Sequence, residues 1–549
     1  MPVYQEGRAR RLAQLSPNMR CEKTSPRNNY GCCLNSYPFI FGYLPLALIG
    51  YQVAAHLHRQ AVVIWLVFAS LAFYAYWSPA YLVLLCGSIL FNFAAGSLIS
   101  RRIPNPIPAR VLLWGAIGVN LAALCFCKYL FPLLNFLAAA TDSRHHWKDV
   151  ILPLGISFFT FTQIAYLVDL EQGAARQQDL ASYSLFVTFF PHLIAGPILH
   201  HAEIMPQFQA HRDYRLRADD LAVGFSWFIM GLFKKVLLAD RFADAANSAF
   251  LAPAALHSFS AWAGVLSYAL QLYFDFSGYS DMALGLARMF SIQFPLNFSS
   301  PYKSASIIDF WQRWHMTLTR YIMSYLYNPI SIAIYRSRIA RGKKTSKKAL
   351  ATPGGFLSMI ALPTTIALFL AGVWHGAGMQ FLIFGLLHAL YLTINHAWRI
   401  WRGAPPDSGK RSRISVVTSR AASVLLTFFA VIVAQIFFRA SSVSAALSML
   451  SAMAGLHRAA PEVARSYHFP ASSLVLLFIG YVIVWTLPNT QQILANFKPS
   501  LELTRSDLQG SAIRFLWQPT TVWALTLGIL FFVTVIKMQD PSTFLYFQF

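Results

Sequence analysis

Charge, and acidic charge above all, is scarce in this chain: 21 Asp and Glu stand against 44 Lys and Arg among 549 residues, and the four types together make up 12%. Soluble domains carry about 25% charged residues, so a water-facing surface of ordinary composition is excluded. With 56% hydrophobic and 15% aromatic residues, the chain is an integral membrane protein. Cysteine is sparse too. Cys21, Cys32, Cys33, Cys86, Cys125 and Cys127 all lie in the first quarter, and their spacing offers neither a zinc framework nor a disulfide scaffold. Cys125-Phe-Cys127 reads as lipid-facing or core packing. A phosphate-binding loop is missing, because Arg341-Gly-Lys-Lys-Thr345 lacks the upstream glycine of that motif. ATP is not implied.

The net charge of +23 would form a basic face in a nucleic-acid binder. Here Lys and Arg fall mainly between apolar runs, as the positive-inside rule describes. The excess therefore reports topology and anionic lipid, and nucleic acid is not expected as a partner.

Residues 1–33 carry Arg8, Arg10, Arg11, Arg20, Lys23 and Arg27 with Pro17 and Pro26. That composition predicts a basic, disordered tail and no signal peptide, since hydrophobicity begins at Tyr37 and continues as a full span. Residues 34–549 read as one polytopic domain. Apolar runs recur at about 37–58, 60–78, 79–99, 110–139, 151–170, 182–199, 219–238, 260–290, 356–373, 379–398, 415–438, 471–487 and 520–536, against the ~20 residues that cross ~30 Å. Pro153 and Gly155 interrupt the run at 151–170, which also holds Asp169; Pro191, His192, Gly196 and Pro197 interrupt the one at 182–199. Broken backbone at membrane depth persists only where protein or a wet cavity satisfies it. Both runs are expected to be re-entrant and to line a site, which leaves roughly eleven spanning helices in an all-α fold.

Arg336, Arg338, Arg341, Lys343, Lys344, Lys347 and Lys348 crowd one loop, and Arg399, Arg402, Lys410, Arg411 and Arg413 the next. Both loops read as cytoplasmic. The intervening residues must cross and return, and the turn falls at Trp374-His375-Gly376, about 27 Å of helix from residue 356 at 1.5 Å per residue.

Two stretches hold the chemistry. In 307–328, Ile307, Ile308, Trp311, Leu318, Ile322 and Tyr325 recur at helical spacing among Asp309, Arg313, His315 and Arg320, which predicts an amphipathic, non-spanning helix with Asp309 and Arg313 paired at i,i+4. His315 on such a helix reads either as an interfacial cation meeting lipid phosphate or as a site residue. At His375, Gly372, Gly376 and Gly378 leave room for a substrate, and imidazole is suited to taking a proton from an alcohol near neutral pH. Its plainer reading is a buried hydrogen bonder in a Gly372-x-x-x-Gly376 packing motif. Asp275, Tyr279 and Asp281 follow a long apolar run, where they cap a helix or orient a histidine. Two histidines without Cys, Asp or Glu at ligand spacing make a poor metal site, and no metal is expected.

Several long motifs resemble the membrane-bound O-acyltransferase family. They are Tyr273-Phe-Asp-Phe-Ser-Gly-Tyr-Ser-Asp281, Pro295-Leu-Asn-Phe298, Asp309-Phe-Trp-Gln-Arg-Trp-His315 and Trp374-His375-Gly376. Leu34-Asn-Ser-Tyr-Pro-Phe-Ile40, Phe189-Phe-Pro-His-Leu-Ile-Ala-Gly-Pro197 and Phe544-Leu-Tyr-Phe-Gln-Phe549 agree with its bacterial polysaccharide branch, so the likeness covers 34–549. The resemblance implies an O-acetyltransferase in the bacterial inner membrane, with His375 as catalytic base and His315 as the second essential histidine. Trp374, Arg313, Asp309, Asp275, Tyr279, Asp281, Asn297 and His192 would support them. It further implies acetyl-CoA or another acyl thioester as donor, no bound cofactor, and a periplasmic serine-hydrolase-like transferase or other polysaccharide-modification machinery as partner, beside membrane lipid. The rival readings are a transporter or flippase, whose paired broken segments in two related halves are not found, and a structural subunit of a polysaccharide export complex.

If the basic loop is cytoplasmic, a cysteine introduced by Ser346→Cys into a chain freed of native cysteines stays unlabelled by a membrane-impermeant thiol reagent in intact spheroplasts. It reacts once the membrane is opened. Labelling before opening would invert the topology.

Overall fold

The computed structural model describes residues 34–102, 106–141, 147, 152–209, 214–402, 412–456, 470–498, 500–501, 515–538 and 545. The expected basic tail and most of the C-terminal motif lie outside them. Among the described residues the fold is all-α, and the one β-type contact is an isolated bridge between Pro295 and Leu501.

Among the described residues eight helices are long and apolar enough to cross a membrane: Pro38–Leu57, Arg59–Trp77, Pro79–Arg101, Ile107–Ala140, Ala218–Leu251, Pro353–His375, Met379–Arg402 and Ile414–Arg439. Three shorter apolar helices, Val443–Met453, Ser472–Thr486 and Thr521–Lys537, stand beside the roughly eleven spans expected. The outer helices turn apolar side chains outward. On Pro38–Leu57, Leu46, Ile49, Val53 and Leu57 are exposed while Leu44, Ala47, Leu48 and Tyr51 are buried. Such an exterior is suited to hydrocarbon, where apolar contact with solvent carries no penalty, and this is a multi-pass membrane protein.

The centre is a helix pair. Ser258–Met289 contains the apolar run at 260–290, but its polar residues keep it out of the eight, and nearly all of it from Ser260 onward is buried. It packs against Ala218–Leu251 through two glycine contacts. A Cβ on Gly224 would lie 2.7 Å from the Gly285 carbonyl oxygen, and one on Gly231 would lie 2.7 Å from that of Gly278. Only glycine permits backbones to approach this closely. The closeness also decides where the charges go. A π-helical turn at Lys234–Ala239 sets Lys235 Nζ 2.6 Å from Asp275 Oδ1 and Lys234 Nζ 2.5 Å from Asp281 Oδ2.

The broken runs behave as their Pro and Gly content predicts. Helix Ile156–Glu171 starts after Gly155, whose φ of +71° and whose contact with the Leu193 carbonyl both require glycine. The run at 182–199 divides into Leu180–Thr188 and Phe190–Leu193 before it turns extended.

The segment 307–328 differs from expectation. It is not one amphipathic helix but Ile307–Trp311, a break, Met316–Ile322 and a π-helical turn at Met323–Tyr327. The break has a physical cause. Backbone of the preceding loop competes for the segment's hydrogen bonds, since Ser299 N–H donates to the Arg313 carbonyl and Met316 N–H to that of Asn297, both at 2.9 Å. His315 takes φ +44° at the corner.

Lys235→Met leaves Asp275 buried without its cation, a change that costs about 3–5 kcal/mol in comparable buried pairs. The variant melts well below the parent in detergent, and adding Asp275→Asn recovers part of the loss. A melting temperature unchanged by Lys235→Met would show that the pair contributes nothing to stability.

Candidate active site

His375 is the last residue of the Pro353–His375 helix, where four backbone carbonyls have no partner within the helix. Two side chains from Ile107–Ala140 meet them. Lys128 Nζ donates to the Trp374 carbonyl, and Tyr129 Oη donates to the Val373 carbonyl at 2.8 Å. A cation suits this end of the helix dipole. Lys128 reaches it from a π-helical turn at Phe126–Leu130 inside its own helix. After His375 the chain reverses immediately. A Cβ on Gly376 would lie 2.4 Å from the Phe381 ring, and one on Gly372 would lie 2.6 Å from the Phe381 carbonyl oxygen. Glycine packing is thus real here, but it pairs Gly372 with Phe381 and Gly385 of the returning helix.

The His375 ring is buried among aromatic groups, with ring centres of Trp374 at 4.6 Å, Phe438 at 5.0 Å and Phe384 at 5.7 Å. Among the described residues no group hydrogen-bonds to it. It is therefore not the buried hydrogen bonder of the plainer reading, and it keeps a nitrogen lone pair for an incoming group.

His315 is held differently. Its Nδ1 lies 2.9 Å from Asn297 Oδ1, which also accepts from Thr317 Oγ1 at 2.9 Å, while Asn297 Nδ2 donates to Ser280 Oγ at 3.1 Å. The Thr317 hydroxyl and the donation to Ser280 together identify the amide oxygen, so Nδ1 carries the proton and Nε2 the lone pair. The Phe276 ring stands edge-on at 4.7 Å. Burial pushes the imidazole well below the ordinary histidine range, so it is neutral at physiological pH. A buried neutral ring with an assigned tautomer is not an interfacial cation. Asp309 and Arg313 form the expected pair at 2.7 Å, and Arg313 Nη1 donates to the Ser299 carbonyl at 3.3 Å, which braces the corner that carries His315.

The two histidines line one cavity of about 40 Å³, together with His388, Trp311, Phe276 and Gln435. A second cavity of about 50 Å³, lined by Lys128, Leu152, Gly155, Ser157 and Trp374, also has His375 in its wall. On the other side Trp311 is shared with a cavity of about 250 Å³ that reaches Arg320, Gln312 and Leu501. The chain of cavities has a direction relative to the basic loops. Arg399, at the basic end, donates to Ser306 Oγ at 3.3 Å, five residues before Trp311, whereas Lys128 and Trp374 lie at the far end of the Pro353–His375 helix.

Other expected site residues are placed elsewhere. Trp374 packs its ring on Phe161 at 5.4 Å, next to His375. Asp275 and Asp281 neither cap a helix nor touch a histidine. They pair with Lys235 and Lys234, and they also accept from Leu545 N–H at 2.9 Å and Thr490 Oγ1 at 2.7 Å. Tyr279 is buried in the same helix. His192 holds the Phe186 carbonyl at 3.0 Å, inside the packed core.

Two residues escaped the sequence reading. His388 is buried with Nδ1 3.2 Å from Trp311 Nε1, and Lys128 is described above. Each is an ionisable group inside a long apolar run, which was the available signal.

Residues 48–341 match the family model described as MBOAT, membrane-bound O-acyltransferase family. The chain is 34% identical to a peptidoglycan O-acetyltransferase of Helicobacter pylori, over 94% of this chain and 97% of that protein. It is 32% identical to the probable alginate O-acetylase AlgI of Pseudomonas putida, over 94% and 99%. A teichoic acid D-alanyltransferase of Bacillus subtilis is 27% identical over 52% and 68%.

Proposed function

The chain belongs to the membrane-bound O-acyltransferase family, and from that premise we propose that it moves an acetyl group from a thioester on the basic-loop side, acetyl-CoA above all, across the membrane for O-acetylation of an exopolysaccharide or cell-wall glycan. The observation that carries this reading is that His375 lines two cavities, one shared with Trp311 and His388 and the other with Lys128 and Trp374 at the end of the Pro353–His375 helix. A residue so placed can serve a donor from one side and an acceptor from the other.

In this reading the thioester carbonyl enters the cavity shared by His315, His375 and His388. His375 takes the proton from the acceptor hydroxyl as its oxygen attacks the carbonyl carbon. The tetrahedral intermediate then collapses, the carbon–sulfur bond breaks, and the proton passes to the departing thiolate. Transfer between a thioester and an ester needs no ATP, in keeping with the missing phosphate loop. His315 positions a reactant through Nε2, and its tautomer depends on Asn297. Preorganised dipoles act strongly in a site from which water is excluded. The acceptor is a periplasmic serine-hydrolase-like transferase or the polymer itself, consistent with the carbohydrate-modifying names of the two relatives of matching length.

His375→Ala abolishes polymer-bound acetate in a complemented deletion strain while the protein inserts at parental abundance. Normal acetylation would remove His375 from the mechanism. For His315, replacement by Lys and by Gln divides the readings. Gln keeps a donor for Asn297 and an acceptor beyond it and retains measurable transfer, whereas Lys offers donors alone and is inactive. A misplacement of about 1 Å in such a site can cost on the order of 10²-fold in rate, so transfer by the Gln variant is expected to fall by about that factor. An active Lys variant at equal membrane abundance would show that His315 works outside the site.

A further inference from the structure

We propose that Asp169, His200 and His201 form a divalent-metal site of the zinc class, separate from the His315 and His375 cavity. This departs from the sequence expectation of no metal, which weighed His315 and His375 and not this group. The three residues come from two segments: Asp169 from the end of helix Ile156–Glu171, and His200 with His201 from the start of His201–Gln209. Their ligand atoms lie within 4.8 Å of one another. Asp169 Oδ2 is 3.0 Å from His200 Nε2 and 3.1 Å from His201 Nδ1. A tetrahedral ion with bonds of about 2.0–2.1 Å spaces its ligand atoms by about 3.4 Å, so the set is nearly in place.

The strongest observation is His201, which is 6% exposed. Its Nδ1 is buried with no hydrogen-bond partner although it touches the Asp169 carboxylate, because the contact lacks hydrogen-bond geometry. The other ring nitrogen, Nε2, faces the Ala174 carbonyl at 3.5 Å. At that distance the carbonyl does not fix the tautomer, and the ring can present an Nδ1 lone pair to the space beside Asp169. A cation between Nδ1 and the carboxylate, which lie 3.1 Å apart, would satisfy both buried groups.

The remaining surroundings fit. Tyr325 Oη is 2.6 Å from Asp169 Oδ2 and 2.9 Å from His200 Nε2, close enough to orient the carboxylate or to complete the coordination. Ala202 N–H reaches His200 Nδ1 only at 3.4 Å, too long to set the tautomer of that ring. His201 stands edge-on to Tyr166 at 5.8 Å, so its ring is fixed. Entry is open through His200, which lines a cavity of about 250 Å³ with Thr317, Tyr321 and the paired Glu203 and Arg320. Two imidazoles and one carboxylate with an open position facing a cavity are the donor set of zinc and neighbouring divalent transition metals, and not of Mg²⁺ or Ca²⁺.

The test uses the full chain in detergent, purified on a tag without histidine, incubated with Zn²⁺ and then desalted. Elemental analysis is expected to find about one zinc per chain, falling to near zero in Asp169→Asn and His201→Gln. Removal of zinc by a chelator lowers the melting temperature of the parent and leaves that of the variants unchanged. Bound Co²⁺ gives the parent the intense visible bands of a four-coordinate site. If the two buried variants do not fold, the partly exposed His200→Gln carries the same comparison. A parent that retains no more zinc than His200→Gln, or that melts identically with and without chelator, overturns the site.

Discussion

The close crossing of Ala218–Leu251 over Ser258–Met289 is the constraint on which the rest of the molecule depends. Gly224 and Gly231 are seven residues apart, as are Gly278 and Gly285, and the two pairs face each other in antiparallel order. At that separation Lys234 and Lys235 cannot avoid Asp281 and Asp275, and the ion pairs form in a low-dielectric interior where an unpaired member would be costly. From there the order spreads outward. Asp275 holds Leu545 and Asp281 holds Thr490, so distant C-terminal segments are tied to the same helix. Ser280, one residue before Asp281, accepts from Asn297, and Asn297 sets the ring of His315. Two hydrogen bonds, Asn297 to Ser280 and His315 to Asn297, thus tie the histidine tautomer to the helix that makes the glycine contacts.

Environment separates the two histidines more than residue type does. His315 sits at a left-handed corner, in a polar network that assigns its proton. His375 sits at a helix end where Lys128 and Tyr129 donate to carbonyls, in an aromatic cage in which no described residue hydrogen-bonds to its ring. A fixed ring is suited to orienting a neighbour, and an unengaged one to exchanging a proton with a substrate. Paired groups whose surroundings differ in this way are how one site divides its tasks.

Much of this was legible from residue order. Low charge, the long apolar runs and the two basic loops predicted a polytopic all-α chain, because hydrocarbon admits few alternatives. The Pro and Gly interruptions at Gly155 and Pro191 marked where two runs break. Spacing failed where tertiary contacts override it. Residues 307–328 carry helical periodicity, yet the loop at 297–299 takes their hydrogen bonds and bends the chain at His315. Asp275 and Asp281 looked like site residues because ionisable groups at depth mark function. Their lysine partners stand about forty residues upstream, and nothing in local order announces the pairing. The heptad-spaced glycines were visible but carry meaning only once the two helices are known to cross. His200-His201 became a pair of interest only when folding brought Asp169 beside it.

The sizes of the cavities constrain how the site can work. A volume of 40–50 Å³ on either side of His375 holds a few waters, since one water needs about 10–15 Å³ by the same measure. Neither accommodates an acyl thioester. The boundary is made of rings, Trp311, Phe384 and Phe438, and rings can swing aside without breaking backbone hydrogen bonds. Under the proposed transfer, a path that is closed at rest and opens only around a bound donor would keep water and ions from crossing beside His375, and it would keep the thioester from being hydrolysed before the acceptor arrives. In that reading the aromatic cage around His375 would also be the seal between the two sides.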